Sequence, residues 1–418
     1  MEKTCKTKRL INTAFTAWLI LALQTIFSSW NWFFLLFAAI SLSGTPNGGI
    51  ITGILFLANS MIRMLMARFF AAFSEKYSEI TRFYLSLGSR LLTMLLLALL
   101  PFTINNSLYL LTWGFLINIP LVMDSYLTFH LKYYFSDAKH ISLVRYSTIG
   151  SLGSRGLIAL ASMIAVLLNK NDWLGLTVTC SIIIFLGVIA SCLTILYVQQ
   201  HANFRVNEPH NSNQAKPDQN ARNTALLGSV YLFLMNLFFG AGALLLTRSI
   251  VEHDLVIYDS LNIVTFFYTG FIIINLLVTL FDKTCSQFIT WKNIIFSYFI
   301  TAALGGLFFI IKDNPDLCFI LATLWGIVYG WSLTAFFPLV AELIRGKNQT
   351  TLYAKIDAAS RFGFIISQLI TGVFLDTSID PFKLLQIYSF FAVISLILSI
   401  IFYRKKIMGV TIYENAVR

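Results

Sequence analysis

The chain has 418 residues, of which 57% are hydrophobic and only 12% are charged. A soluble domain carries roughly 25% charged residues, and a mean hydropathy of +0.75 excludes a water-soluble globular protein. The formal net charge of +11 does not indicate nucleic-acid binding, because the basic residues concentrate in connections between long apolar runs. The sequence therefore predicts an integral membrane protein of the all-α class.

Apolar runs of about 20 residues, enough to cross the hydrocarbon core as helices, follow one another along the chain. The first run continues to about Leu42, well beyond the roughly 7 to 15 residues of a signal peptide, so we interpret it as a retained span. The twelve predicted spans are 15–41, 50–72, 83–103, 107–131, 142–168, 174–197, 223–247, 260–281, 293–311, 317–341, 351–375 and 384–403.

The connections between spans differ strongly in basic content. Nineteen lysines and arginines lie in alternate connections beginning with the N-terminus, against four in the other set. The positive-inside rule then places both termini in the cytosol. The segment 198–222 is polar and rich in Asn and Gln, which predicts a flexible cytosolic linker. The expected domains are a six-helix bundle at 1–197, this linker, and a second six-helix bundle with a short basic tail at 223–418.

A similar stretch occurs once in each predicted bundle, between its second and third spans. It reads AAFSEKYSEITR at 71–82 and LFDKTCSQFITWK at 280–292, with an acid followed at once by lysine in both. Two similar halves in the same orientation are the plan of many secondary transporters.

This loop resembles the signature of the major facilitator superfamily, a Gly-x-x-x-Asp-Arg-x-Gly-Arg type pattern. Alanine stands here in place of the first glycine, and a glutamate-lysine or aspartate-lysine pair replaces Asp-Arg. The resemblance implies two six-helix bundles, transport by alternating access, and a monomer. It also implies a role as cytosolic gate latch for four residues: Glu75, Lys76, Asp282 and Lys283.

Narrower resemblances point in two directions. Span 5 is similar to sugar and nucleoside symporters at Arg145, Gly150, Ser151 and Gly153. The first hundred residues are similar to siderophore exporters and macrolide-type efflux pumps, in the features Gln24-Thr25-Ile26, Ser43-Gly44-Thr45-Pro46, Gly53 and Arg63. The direction of transport stays open between these two resemblances.

Charged residues inside spans are expensive and indicate function. Those near span ends, Arg68, Arg145 and Lys355, can extend to the interface. Three near mid-span cannot, and we predict that they bind substrate: Arg63, Arg155 and Arg361. An excess of buried arginine over acid favours a small anionic substrate, because the guanidinium fork binds carboxylate or phosphate.

Two acids lie within spans, and both are candidates for proton coupling. Asp357 and Arg361 are four residues apart on one helical face, where they can pair. Asp124 has no partner in its own helix, but Arg90 in span 3 lies at a similar depth. A structural Asp124–Arg90 ion pair is therefore the alternative to a proton carrier at Asp124, and sodium coupling is not excluded.

Uncharged polar and aromatic residues complete the predicted substrate site. Gln24, Ser28 and Asn31 form one stripe on span 1. Trp325, Tyr329 and Ser332 have the same spacing on span 10, although such aromatic stripes are often packing. Asn118 on span 4 and Asn236 on span 7 are single polar points.

These observations predict a secondary active transporter in a bacterial-type plasma membrane. The leading hypothesis is proton-driven export of a small polar anion such as a carboxylate siderophore. The alternative is a proton-coupled uptake symporter for a sugar, nucleoside or similar nutrient, and a receptor or intramembrane enzyme is a remote one. No nucleotide-binding or zinc-binding motif occurs, and five scattered cysteines argue against a disulfide framework or metal site. We expect no cofactor.

Overall fold

The computed structural model describes residues 34–77, 79–103, 106–127, 143–167, 173–201, 219–257, 260–343 and 349–407. These residues are almost entirely helical. In chain order the helices are α1 (34–41), α2 (Gly48–Lys76), α3 (Glu79–Ala98), α4 (Leu100–Thr103), α5 (Ser107–Leu127), α6 (Leu143–Leu167), α7 (Trp173–His201), α8 (Gln219–Phe239), α9 (Gly242–Glu252), α10 (Ile263–Leu280), α11 (Asp282–Gln287), α12 (Trp291–Ile311), α13 (Pro315–Leu343), α14 (Gln349–Asp376) and α15 (Pro381–Ile407). A small antiparallel hairpin pairs β1 (Val256–Ile257) with β2 (Leu261–Asn262).

Ten stretches of the described chain are long and apolar enough to cross a membrane. They coincide with predicted spans 2 to 4 and 6 to 12. Span 5 is helix α6, whose apolar part, Arg155–Leu167, is shorter. Span 1 lies outside the described residues except for α1. The chain is a multi-pass membrane protein, and the predicted spans from the second onward are helices.

The distribution of polar residues is inverted relative to a soluble protein. Large apolar side chains face outward, with Phe102 74% exposed and Leu95 62% exposed, whereas Arg90 is completely buried. Lipid solvates the apolar surface, and polar groups without water must find partners inside the protein. Polar pairing within the helical bundles therefore determines how the helices pack.

Helices within each half pack against one another. In the first half, α2 and α3 both contact α5, and α3 contacts α7; in the second, α13 packs on α10 and α12, and α15 packs on α12 and α8. Among the described residues, the most extensive contacts between the halves join α2 with α14 and α6 with α10, and α6 also contacts α13. The polar contacts between the halves described below lie along the first two of these seams.

The span predicted at 223–247 is broken in the structure. Helix α8 ends at Phe239 and α9 begins at Gly242, so the Gly-Ala-Gly sequence interrupts the helix. The side-chain amide of Gln368 donates to the carbonyl oxygen of Gly240 at 2.8 Å, and the N–H of Ala241 donates to Ser367 Oγ at 3.2 Å. Side chains of α14 thus satisfy backbone groups that a continuous helix would have paired itself.

The ends of the predicted linker also differ from the structure. Helix α7 continues to His201 and α8 begins at Gln219, so both ends of the 198–222 segment are helical. The middle of that segment lies outside the described residues.

Asp380 organises three helix ends in the second half. Its Oδ1 accepts the N–H groups of Phe382 at 2.8 Å and Lys383 at 3.3 Å, which caps the N-terminus of α15. Its Oδ2 lies 3.1 Å from Lys312 Nζ at the end of α12, and its Oδ1 lies 3.4 Å from His253 Nε2 at the end of α9. Burial alone would raise the pKa of Asp380, but the hydrogen bond from Lys312 and the two N–H groups outweigh it and hold that pKa below its ordinary value.

We expect Asp380→Ala to lower the thermal midpoint more than Asp380→Asn, because asparagine keeps the helix cap, which contributes about 1 kcal/mol. Since the folded-state pKa of Asp380 is depressed, its carboxylate stabilises the fold above the unfolded pKa, and this contribution disappears as pH falls through the folded pKa. Thermal melts of purified protein between pH 3 and 7 measure both effects. A gap between wild type and Asp380→Asn that is unchanged across this range would contradict the assignment.

Candidate functional site

The two halves meet through a charge-assisted contact at one end of the molecule. The N–H groups of Gly49 and Ile50, in the first turn of α2, donate to Asp376 Oδ1 at 2.7 Å and Oδ2 at 3.0 Å. Asp376 is the last residue of α14 in the other half. A carboxylate at a helix N-terminus is favoured by the unpaired N–H groups and the helix dipole. We refer to this as the Asp376 end.

Glycines allow the helices to approach closely beside this contact. A Cβ at Gly53 would lie 2.8 Å from the carbonyl oxygen of Gln368, and a Cβ at Gly49 would lie 2.7 Å from that of Gly372. Both distances are shorter than van der Waals contact allows, so a larger residue would separate α2 from α14. The sequence Gly49…Gly53 therefore permits the seam.

A second polar contact joins the halves between α6 and α10. The hydroxyls of Ser162 and Thr265 are 2.8 Å apart, and Asn262 donates from Nδ2 to the carbonyl oxygen of Ser162 at 3.2 Å. Asn262 also caps α10, because its Oδ1 accepts the N–H groups of Val264 and Thr265. The cap of one helix thus forms part of the seam between the halves.

Arg155 lies further along the α6–α10 seam. It is seven residues before Ser162, or about 10 Å at 1.5 Å per residue. Its Cζ lies 4.7 Å from the centroid of the Phe271 ring and 5.9 Å from that of Tyr268, both on α10. The Nε of Arg155 is buried and has no hydrogen-bond partner among the described residues. An arginine from one half thus stacks on aromatic rings of the other half while one donor remains unused.

The rings beneath Arg155 continue into α13. Tyr329 lies 5.8 Å from Phe271 and 5.9 Å from Phe267, measured between ring centroids. We call Phe267, Tyr268, Phe271 and Tyr329 the aromatic wall. Arg155 and Tyr329, both predicted from the sequence as substrate-binding residues, are connected through this wall.

Trp325 was expected beside Tyr329 in the cavity, but it packs in the interior of the second half. It is 1% exposed, and the rings of Phe267, Phe308 and Phe239 lie within 6.2 Å of it, centroid to centroid. A Cβ at Gly242 would lie only 3.1 Å from its ring. Ser332 is also fully buried and shares a hydrogen bond with Tyr231. The i, i+4, i+7 stripe on α13 is therefore partly core packing.

Polar residues of the first half connect Arg63 to Asn118. Arg63 Nε donates to Asn59 Oδ1 at 3.1 Å, and Asn59 Nδ2 donates to Asn118 Oδ1 at 2.7 Å. Asn118 in turn donates to the carbonyl oxygen of Gly114 at 2.6 Å. This arrangement links α2 to α5 and holds the guanidinium of Arg63 in place.

The second half contains a comparable polar group on α14. Asp357 and Arg361 form the predicted ion pair, with Oδ1 and Nε 3.2 Å apart and both side chains only partly exposed. The adjacent Ser360 accepts a hydrogen bond from Asn236 Nδ2 at 2.7 Å. Asn236 on α8 thus contacts α14 at the residue before Arg361.

Asp124 has the alternative partner that the sequence suggested. Arg90 Nε lies 3.1 Å from Asp124 Oδ2, and Ser86 donates to Oδ1. Arg90 also donates to Thr194 Oγ1 at 2.7 Å and to the carbonyl oxygen of Ala190 at 3.3 Å. This network joins α3, α5 and α7 inside the first half, and its charges compensate one another.

Seven predicted site residues have side chains outside the described part of the structure. Gln24, Ser28 and Asn31 lie outside the described residues. Glu75 and Lys76 were expected in a loop, but the backbone places them in the last turn of α2, and Asp282 and Lys283 begin α11. Helix formation therefore extends into both predicted latch loops, while the side chains of these four residues lie outside the described part.

Sequence reasoning missed the residues that join the halves. Asp376 had been assigned to the edge of a connection, where an acid is unremarkable, and Asn59 is a single polar residue in an apolar run. Phe271 and Tyr268 have no distinguishing signal among the 38 phenylalanines and 17 tyrosines of the chain. Only the spacing Gly49…Gly53, four residues apart on one helical face, was a readable sign of close helix packing.

Comparison with known proteins identifies solved structures of similar fold. No family model and no curated protein sequence matches the chain. The crystal structure of the nucleoside transporter NupG matches 94% of this chain and 100% of its own, with a TM-score of 0.65 and 14% identity. An aspartate-to-alanine variant of that transporter matches 92% of this chain and 98% of its own, with a TM-score of 0.63 and 13% identity. This likeness confirms the predicted all-helical membrane fold class: the chain has the fold of that transporter.

We expect Asp376→Ala to open the Asp376 end, because it removes two charge-assisted hydrogen bonds, each worth about 1.5–3 kcal/mol. Loss of the free energy of only one such hydrogen bond would shift the equilibrium between the closed and open conformations about tenfold. Spin labels on introduced cysteines at Thr45 and Ser378 report the distance across this end. Asp376→Glu, which keeps the carboxylate, and Asp316→Ala, which removes an exposed acid elsewhere, are the controls. An unchanged distance distribution in Asp376→Ala would contradict the role of the Asp376 contact in keeping this end closed.

We expect Asp124→Leu and Arg90→Met each to lower the thermal midpoint, since breaking a buried ion pair costs about 3–5 kcal/mol. The double substitution should recover much of this loss, because no uncompensated charge remains. Thermal melts test the coupling between the two sites. If the folded double variant also retains proton-coupled transport, Asp124 is not the proton carrier; additive losses in the melts would contradict the ion-pair assignment.

Proposed function

We propose that the chain is an alternating-access transporter of the plasma membrane that imports a nucleoside or a similar polar solute carrying a flat ring. The observation that carries this proposal is Arg155 stacked on the aromatic wall across the seam between the halves. Transporters with two structural repeats bind substrate at the repeat interface. The rings of Tyr268 and Phe271 and the Arg155 Nε are buried in this conformation. When the α6–α10 seam opens, a nucleobase can stack on these rings and accept a hydrogen bond from Arg155 Nε.

The closed Asp376 end supports alternating access. The Asp376 contact and the Ser162–Thr265 contact both join the halves, and Arg155 lies about 10 Å beyond the latter. With the orientation predicted from the basic residues, this end faces outside. The conformation is then one in which the outer entrance is closed above the proposed site, and substrate would leave toward the cytosol.

Proton coupling is assigned in this proposal to Asp357. Its ion pair with Arg361 is only partly buried and is adjacent to the Asn236–Ser360 hydrogen bond. A substrate that draws Arg361 away would leave the Asp357 carboxylate without its ion-pair partner, which would link substrate binding to this acid. Asp124 is less suited, because its charge is already compensated by the fully buried Arg90.

Export of a small anion, such as a carboxylate siderophore, is the second candidate. The unpartnered Nε of Arg155 favours it, because a buried guanidinium can bind a carboxylate. However, Arg90 and Arg361 are paired with acids and Arg63 is held by Asn59. The excess of uncompensated positive charge that suggested an anion from the sequence is therefore smaller. Two solved structures similar to this chain are of a nucleoside transporter.

We expect Arg155→Gln to reduce uptake of radiolabelled nucleoside by about tenfold, the value of one lost charge-assisted hydrogen bond. Arg155→Lys should recover only part of the uptake, because ammonium keeps the charge but not the planar stacking surface. Uptake by cells expressing the chain, with surface expression measured in parallel, tests this. Lys383→Gln, which changes an exposed cation in the first turn of α15, is the control.

The same cells discriminate the two candidate functions. If nucleosides are not accumulated above vector-only cells, while an endogenous anionic chelator leaves the cells in a manner that depends on Arg155, the export candidate replaces import. Nucleoside uptake that is equal in wild type and Arg155→Gln would remove Arg155 from the substrate site.

A further inference from the structure

An apolar crevice opens on the outside of the second half, away from the seam between the halves. It lies between α8, α12 and α15 and has an empty volume of about 490 Å³. Its walls include Leu227 and Leu234 on α8, Trp291 and Ile295 on α12, and Leu396 and Ile400 on α15. A crevice of this composition offers almost no hydrogen-bonding groups to a water-soluble ligand.

The surroundings of the crevice face lipid. All three helices belong to the stretches long and apolar enough to cross a membrane. Large apolar side chains next to the crevice on these helices are strongly exposed: Leu226 by 52%, Phe296 by 64% and Leu398 by 50%. The occupant of the crevice therefore comes from the bilayer.

Each of the three helices carries basic residues in its sequence at the same end of the crevice. Lys292 is exposed and follows Trp291 directly. Arg222 lies five residues before Leu227, and the run Arg404, Lys405, Lys406 begins four residues after Ile400, distances of about 6 to 8 Å along the helices. The described parts of these helix ends contain no acid. Lys292 thus lies beside the crevice wall, and the backbone positions of the other four basic residues lie one to two turns beyond it, at the end predicted to face the cytosol.

We propose that this crevice binds an anionic phospholipid, with an acyl chain against Leu227 and Ile295 and the phosphate among the basic residues. The surrounding bilayer supplies the acyl chain. A negative headgroup is favoured by about 1 kcal/mol for each basic residue near the surface, which corresponds to about fivefold in affinity. A zwitterionic lipid fits the apolar walls equally well but lacks the net charge. This binding site is independent of the proposed transport function.

Native mass spectrometry of the purified full chain tests the proposal. The protein is titrated with phosphatidylglycerol and, separately, with phosphatidylcholine of the same acyl composition. We expect the first phosphatidylglycerol to bind more tightly than phosphatidylcholine. Lys292→Ala should weaken phosphatidylglycerol binding about fivefold without changing phosphatidylcholine binding. Lys383→Ala, at the opposite end of α15, is the matched charge control.

A pair of tryptophan substitutions distinguishes the crevice from the general lipid-facing surface. Leu227→Trp fills the crevice and should remove the preferred phosphatidylglycerol site, whereas Leu226→Trp, on the adjacent exposed position, should leave it intact. Thermal melts confirm that both variants are folded, and Ile400→Trp fills the crevice from α15 if Leu227→Trp is not. Equal binding of the two lipids to wild type, or equal phosphatidylglycerol binding to the folded Leu226→Trp and crevice-filling variants, would overturn the proposal.

Discussion

The carboxylate of Asp376 holds the first turn of α2, and the arrangement of the two halves depends on this contact. It satisfies N–H groups that the helix cannot pair internally, and it does so from the opposite half of the chain. Because it fixes the ends of α2 and α14, Gly49 and Gly53 can bring the two backbones into direct contact below it. The seam then continues toward Arg63 on α2 and Arg361 on α14. The same two helices therefore carry the Asp376 contact and polar groups of the candidate site.

Without water in the hydrocarbon core, buried charges must be compensated within the protein, and the pattern of compensation separates structural from functional residues. Arg90 and Asp124 neutralise each other inside the first half, and Ser86 and Thr194 add hydrogen bonds to the pair. Arg155 differs because its partners are ring faces from the other half rather than an acid of its own half. Under the proposed alternating access, a charge-compensated network inside one half would move as a unit, whereas a contact across the seam would change.

Sequence pattern was sufficient for the helices and for local pairs. Length and hydropathy place the spans from the second onward, since each run matches the bilayer thickness, and the i, i+4 spacing of Asp357 and Arg361 predicts their ion pair. Contacts between distant segments were not readable in the same way. Asp376 and Gly49 are brought together only by the packing of α2 on α14. A stripe of helical spacing does not reveal which of its members faces a cavity, and Trp325 of the α13 stripe packs in the core. The break at Gly240 was missed for a related reason: hydropathy continues through it, and the groups that stabilise it, Ser367 and Gln368, are on another helix.

Asp376 and Asp380 lie on either side of the turn at Ser378, whose φ of 60° ends α14, and they act on different parts of the molecule. Asp380 ties α9, α12 and α15 together within the second half, so opening the Asp376 end need not disturb that cluster. Opening must break the two hydrogen bonds to Asp376, at about 1.5–3 kcal/mol each, and separate the glycine-lined helices. For both conformations to be populated, contacts formed at the opposite end must return a similar free energy. The end of α2 and the start of α11 carry the repeated acid-lysine pairs, and in the proposed transport cycle such compensating contacts are expected there. The duplicated sequence would then have a physical role.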